Sequence, residues 1–224
     1  MQDLAIYDMD RTITHAPTWT AFLVATARGR APWRLALFPL AGVATGAYAA
    51  KLIDRGRLKQ WTQRLILGGK LHADAARDAA ARFAEQVVAS GVFTGARAQI
   101  AADKAEGRRL VMATASYGFY ASAIAERLGF DDVVATGVRK DVHGRLLAHI
   151  EGENCYGPAK LRMIEAWMAR EGIVRDDVHV RFYSDHVSDA PTFVWADEAV
   201  AVNAHGPLRT LARAKGWQIE DWEH

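Results

Sequence analysis

Short apolar runs alternate with stretches of helical period along most of this chain, and the exception is a long interval near the N-terminus. Residues 3–9, DLAIYDM, form an apolar run that ends in acids, which predicts a buried strand whose carboxyl end carries polar side chains. Residues 16–90 hold no comparable run. In 73–90, Ala76, Ala80, Phe83 and Val87 recur every three to four positions and give a helix one apolar face, so the whole interval reads as helical. From residue 95 the two periods alternate. They predict a helix near 95–106, a strand at 109–114, a helix near 118–128 closed by Gly129, and a strand at 133–136. A hairpin over 138–150 follows, turning at Asp141 and Gly144. A helix near 158–171, a strand at 178–183, a short helix near 190–196, a strand at 199–202 and a helix near 207–215 complete the pattern. Such alternation predicts an α/β fold, a Rossmann-like parallel sheet with helices on both faces, and makes the helical block an insertion after the first strand.

Within that block, residues 35–50, LALFPLAGVATGAYAA, are uncharged and broken by Pro39, Gly42 and Gly46. A membrane-spanning helix needs roughly 20 apolar residues, so the run predicts a buried helix pair. The alternative is an interfacial segment flanked by Arg30, Arg34, Lys51 and Arg55. The acidic start of the chain is unlike the basic start of a secretory signal.

Charge changes the picture once it is located. Of 224 residues, 28 are Lys or Arg and 26 are Asp or Glu, a net charge of +2. Residues 16–70 hold nine basic residues against Asp54 alone (net +8), leaving nineteen against twenty-five (net −6) elsewhere. A basic segment is inserted into an acidic body. The apolar fraction of 50% excludes disorder. A single cysteine, Cys155, excludes an intrachain disulfide framework and fits a reducing, cytoplasmic setting. The basic segment lacks a recognisable reading motif for nucleic acid.

In a parallel α/β sheet, ligands bind beyond the carboxyl ends of the strands. The residues there are Asp8, Asp10 and Thr12 after the first strand, Thr114 and Ser116 after the second, and Ser184, Asp185 and Asp189 after the strand at 178–183, with Lys160 opening the helix before it. Asp8 and Asp10 lie two apart, so on extended backbone both side chains face one way. Two like charges about 4 Å apart repel by roughly 4 kcal/mol at an effective dielectric near 20. The cluster with a bound phosphate therefore needs a divalent cation besides Lys160. All-oxygen donors favour a hard ion, best matched by Mg²⁺ with retained waters. In that setting a carboxylate attacks phosphorus, and a second carboxyl two residues on protonates the leaving oxygen and then activates water.

The segments YDMDRTIT at 7–14, LVMATAS at 110–116, GPAKLRMI at 157–164 and YSDHVSDAP at 183–191 resemble the four ordered motifs of the haloacid dehalogenase superfamily, in its phosphoserine phosphatase-like branch, subfamily IB. The resemblance implies an Mg²⁺-dependent phosphoric monoester hydrolase working through an aspartyl-phosphate. It implies Asp8 as nucleophile, Asp10 as acid/base, and Thr12, Thr114, Ser116 and Lys160 as phosphate ligands. Asp8, Asp10 (through its backbone carbonyl) and Asp185 would be metal ligands, with Asp189 in support. It also implies a catalytic core over 1–15 and 92–224, closed by a helical cap over 16–91.

Many family members carry Gly where this chain has Arg11. Phosphoserine phosphatases carry a Glu near the cap that reads the substrate ammonium, whereas His15-Ala16-Pro17-Thr18-Trp19 contains no acid. Thr114 is followed by Ala115-Ser116-Tyr117-Gly118 instead of two glycines. These departures point away from phosphoserine and toward another small anionic phosphate ester, with phosphoserine phosphatase kept as an alternative. The basic, apolar cap is similar to that of bacterial phosphatidylglycerophosphate phosphatases, which implies a phospholipid substrate and peripheral contact with an anionic inner membrane as an alternative. Carbon–halogen hydrolysis would leave Asp10 idle. A signalling receiver carries no such insertion, and a degenerate scaffold would lack a motif residue. His186 reads as a bystander, Trp167 and Trp195 as core, and Cys155 as a structural thiol.

Overall fold

The computed structural model describes residues 3–222. β1 (Leu4–Tyr7) is wholly buried, as a continuous apolar strand must be when both sheet faces are covered. The chain then leaves the sheet through α1 (Thr18–Arg30), a 3₁₀ segment (Pro32–Leu37), α2 (Phe38–Ala49), α3 (Arg55–Ile66), β2 (Lys70–Leu71) and α4 (Ala73–Ser90). The alternating part runs α5 (Thr94–Ala105), β3 (Arg109–Tyr117), α6 (Gly118–Leu128), β4 (Asp132–Lys140), β5 (Leu146–Glu151), α7 (Pro158–Arg170), β6 (Val180–Ser184), α8 (Ala190–Trp195), β7 (Glu198–Val202), α9 (Gly206–Lys215) and β8 (Gln218–Glu220).

The strands form one sheet of eight in the order β2-β5-β4-β3-β1-β6-β7-β8. All neighbours from β4 to β8 pair in parallel, while β5 pairs antiparallel with β4 and β2 antiparallel with β5. β1 lies between β3 and β6, where the crossover direction reverses, and this is where such a sheet opens a crevice. One apolar cluster joins Tyr7, Leu110 and Met112 to α1, α4 and α6 through Phe22, Phe83, Tyr120 and Ile124. A second joins Ile6, Val111 and Phe182 to α7, α8 and α9 through Ile164, Phe193 and Leu208.

The α/β reading holds, and the differences are local. The strand at 133–136 and the first arm of the hairpin are one strand, β4. The hairpin turns at Asp141, whose carboxylate accepts the N–H groups of His143 and Arg145, with Gly144 at φ 73°. β2 and β8 are too short to register as periodic runs. The buried helix pair at 35–50 is corrected: α2 buries only Ala41 and Ala44, and Leu40 and Val43 are 53% and 70% exposed. Small residues let one face seat closely, which turns the larger side chains outward. Among the described residues no helix is long and apolar enough to cross a membrane.

A buried charge ties α5 to the sheet. Asp103, fully buried, accepts from Tyr7 Oη at 2.5 Å, Tyr183 Oη at 2.9 Å and Arg181 at 2.6 Å, and the two tyrosine rings stack at 4.2 Å. Removing one partner of a buried ion network leaves the others desolvated and unpaired. Asp103→Ala is therefore expected to lower the unfolding free energy in urea by about 3 kcal/mol; a loss below about 1 kcal/mol would mean that the network carries no such load.

Candidate functional site

The site lies at the carboxyl ends of β1, β3 and β6. Asp8 follows β1 directly, its backbone N–H donating to Tyr183 O of β6 at 2.9 Å. Asp185 follows β6, and a 3₁₀ turn, Val187–Asp189, brings Asp189 back beneath it. α7 begins after Gly157, whose φ 58°, ψ −134° is readily adopted only without a Cβ, and Pro158 starts the helix that carries Lys160 inward.

Lys160 is 2% exposed. Its Nζ donates to Asp8 Oδ1 at 2.7 Å and to Asp189 Oδ2 at 2.6 Å, and Ser184 Oγ donates to the same Asp189 oxygen at 2.8 Å. Asp8 Oδ2 accepts only a long bond, 3.4 Å, from Thr12 Oγ1. Asp10 is held at both oxygens. Thr18 N and Oγ1, at the start of α1, donate to Oδ1 at 2.7 Å each, and Ser116 Oγ donates to Oδ2 at 2.9 Å. Tyr120 Oη donates to Ser116 Oγ at 2.6 Å. The first turn of α1 thus supplies a carboxylate with helix N–H groups and dipole.

The sequence-predicted residues converge unevenly. Asp8, Asp10, Lys160, Asp185 and Asp189 line a common cavity of about 330 Å³. Thr12, Thr114 and Ser116 are buried beside it and outside its lining. Thr114 Oγ1 accepts the Ser116 N–H at 3.0 Å, just where the β3–β4 register shifts, so the end of β3 is already turned away from regular pairing. Cys155 is buried, and burial pushes its thiol up to about 12, as expected of a structural thiol.

Burial holds the Asp8 carboxyl up near 6, with Lys160 pulling against it and Asp189 adding to the rise. Burial likewise raises Asp185 to about 7, and Asp8 adds to it. Burial disfavours the Lys160 ammonium, but Asp189 and Asp8 outweigh it and raise its affinity for the proton. Lys160 pairs two of these carboxylates and acts on the third, Asp185, only through its charge.

Asp189 Oδ1 is buried with no hydrogen-bond partner among the described residues, and Asp8 Oδ2 is nearly free. No three His, Cys, Asp or Glu side chains among the described residues form a complete cage for an ion. Asp8 and Asp185 line one cavity, and such all-oxygen carboxylate donors fit a hard divalent ion that keeps several waters and do not fit zinc.

Four lining or neighbouring groups were missed in the sequence. Arg55, Tyr156 and His205 line the cavity. The Arg55 guanidinium lies 4.4 Å over the Tyr156 ring, and the rings of His186 and His205 stack at 4.3 Å. Lys59, on α3, reaches the end of β3. Its buried Nζ donates to Ala115 O, to Asn154 Oδ1 at 2.9 Å and to Thr136 Oγ1 at 3.5 Å, and sits 4.7 Å over the Tyr117 ring. The basic count of 16–70 was a faint signal for Arg55 and Lys59; nothing in the sequence singled out Tyr156 or His205.

A family model described as haloacid dehalogenase-like hydrolase matches residues 5–193. The phosphoserine phosphatase SerB1 of Mycobacterium tuberculosis (strain H37Rv) is 30% identical over 138 residues, 62% of this chain. The chain spans 44% of that relative's length. Protein CicA of Caulobacter vibrioides is 31% identical over 197 residues, covering 87% of this chain and 83% of CicA. A crystal structure of a protein of unknown function from Bordetella pertussis Tohama I superposes with a TM-score of 0.87 over 99% of both chains at 23% identity.

Burial, with the nearby Arg55 charge, draws the Lys59 ammonium down to about 7, against an ordinary value near ~10.4. Between those values the unfolded chain holds a proton that the folded chain sheds, so Lys59 makes stability rise with pH across that window. Lys59→Met is expected to flatten the rise in unfolding free energy measured in urea between about pH 7 and about pH 9.5. An unchanged slope would show that its three acceptors keep the ammonium charged.

Proposed function

The chain belongs to the haloacid dehalogenase-like hydrolase family, and from that membership we propose that it is a phosphoric monoester hydrolase of the phosphoserine phosphatase-like kind, working through a phosphorylated Asp8. The observation that carries this reading is the buried Asp8–Lys160–Asp189 group opening on the cavity. Asp8 Oδ1 is fixed by Lys160, which leaves Oδ2 to attack phosphorus.

As the Asp8–phosphorus bond forms, the ester P–O bond breaks, and the leaving oxygen takes a proton from Asp10. Asp10 then takes a proton from water, the water oxygen attacks phosphorus, and the acyl-phosphate P–O bond breaks to free Asp8 and inorganic phosphate. Ser116 and Thr18 hold Asp10 in a fixed orientation through both transfers. Lys160, Thr114 and Thr12 are the groups assigned to the transferring oxygens, since phosphoryl transfer is largely positioning and charge stabilisation. Mg²⁺ would be held by Asp8, Asp185 and the Asp10 carbonyl and would supply the positive charge that three carboxylates and a phosphate require. Residues 16–91 act as a cap over the core of 1–15 and 92–224, and Lys59 fastens α3 to the end of β3.

A cavity of about 330 Å³ is at the small end of the ~300–1,000 Å³ range of ligand pockets and suits a compact ester. Apart from the four site aspartates its lining has no carboxylate, which supports the absence of an ammonium subsite and hence a substrate other than phosphoserine. A second reading, a phosphatidylglycerophosphate-like headgroup presented at a membrane surface, draws on the exposed apolar strip of Leu40, Val43 and Trp61 with Arg64 beside it.

Asp8→Asn is expected to reduce hydrolysis of p-nitrophenyl phosphate by at least about a thousand-fold, with loss of the phosphoenzyme that acid quenching traps in the wild type; retained turnover would refute the mechanism. Mg²⁺ is expected to raise the Tm of the EDTA-treated protein and to have no such effect on Asp185→Asn. An equal rise in both would remove Asp185 from the metal site.

A further inference from the structure

Two basic side chains in the cavity wall have no task in the hydrolysis itself. Lys160 and the divalent ion account for the phosphate. Arg11 and Arg55 line the same cavity as Asp8 and Asp10, and neither pairs with a carboxylate among the described residues. The nearest acid in sequence to Arg55 is engaged elsewhere: Asp54 Oδ1 accepts the Arg57 N–H at 2.8 Å as the cap of α3.

Arg11 sits at φ 64°. The left-handed region costs an L-residue with a Cβ roughly 1–2 kcal/mol relative to the right-handed one, and glycine avoids that penalty. The chain keeps an arginine at a position where backbone geometry alone favours glycine, immediately after Asp10. Strain of this kind persists where the side chain has a use. Arg55 is held differently. Its guanidinium lies on the Tyr156 ring, which fixes the plane by cation–π attraction and leaves the in-plane N–H donors for a planar or tetrahedral anion.

Resting on the hydrolase reading, we propose that Arg11 and Arg55 form a second anion subsite, selecting phosphate monoesters whose leaving group carries another negative group, a carboxylate or a second phosphate. Asp8 and Asp189 hold Lys160, Asp10 is held by Thr18 and Ser116, and Asp185 is the remaining acid of the lining; beyond these the wall offers Arg11, Arg55, His186, His205, Tyr156 and Ser188, with no acid to hold a cationic leaving group. Two unpaired guanidinium groups in a cleft also raise the local concentration of anions.

The test compares kcat/KM for matched esters with the Mg²⁺-loaded full chain: propyl phosphate, 3-phosphopropionate, propane-1,3-diyl bisphosphate and phosphoethanolamine. The wild type is expected to favour 3-phosphopropionate or the bisphosphate over propyl phosphate by at least about ten-fold, roughly 1.4 kcal/mol, and to disfavour phosphoethanolamine. Which of the two anionic esters leads identifies the anion. Arg11→Gly and Arg55→Gln are each expected to bring the anionic-to-neutral ratio close to one, with Arg11→Gly keeping a Tm no lower than wild type. Arg77→Gln, on the far surface of α4, is expected to keep the ratio. A wild type that hydrolyses all four esters alike, or a ratio that survives both substitutions, would overturn the subsite while leaving the hydrolase reading intact. Failure to hydrolyse any ester would overturn that reading and this inference together.

Discussion

Three buried carboxylates around a single buried ammonium set the conditions for everything else at this sheet edge. Asp8, Asp185 and Asp189 come from β1, the end of β6 and the turn beyond it, and Lys160 reaches two of them at 2.6–2.7 Å. Removing such charges from water costs several kcal/mol each, and one lysine offsets only part of that. The arrangement persists because the sheet beneath it is built from strands buried on both faces, so the strand ends have nowhere else to place these side chains. The residual negative charge is what the proposed hard cation would offset.

The insertion follows β1 directly, and that position matters more than its length. α1 starts at Thr18, and its first N–H and hydroxyl hold Asp10. The helix bundle above the sheet is thereby tied to the same loop that carries the proposed nucleophile. α1 and α4 share the apolar cluster of the sheet, whereas α2 and α3 pack on a small cluster of Leu23, Ala27 and Ile66. The inserted segment is therefore seated firmly at its two ends and more lightly in its middle. Lys59 is the polar fastening of that middle part, reaching from α3 to the irregular end of β3.

Most of this edge was legible in the sequence because its residues adjoin apolar runs: Asp8 lies near the end of DLAIYDM and Asp10 just follows it, and Asp185 follows the strand that begins at Val180. Strand ends are local features, and the α/β topology gathers them by rule. Arg55, Lys59, Tyr156 and His205 were illegible because only tertiary packing brings them to the cavity, and each stands in an ordinary helix or loop context. The segment at 35–50 misled for the opposite reason. An uncharged run suggests burial, but a helix with small residues on one face and Leu40 and Val43 on the other satisfies its packing on one side alone. Ser116 shows a third limit. Its place after β3 suggested a phosphate ligand, while its hydroxyl is already spent between Tyr120 and Asp10.

The excess of basic residues in the insertion resolves into distinct physical roles. Arg34 donates to the Leu65 carbonyl at 2.9 Å and is structural. Arg55 and Lys59, one turn apart on α3, both turn toward the sheet edge, and Arg55 helps depress the proton affinity of Lys59. Like charges held together on a helix resist docking against a buried surface unless something negative lies between or beside them. An anion entering the cavity beside Arg55 relieves that repulsion. The cavity thus sets an acidic strand edge against a basic residue of α3.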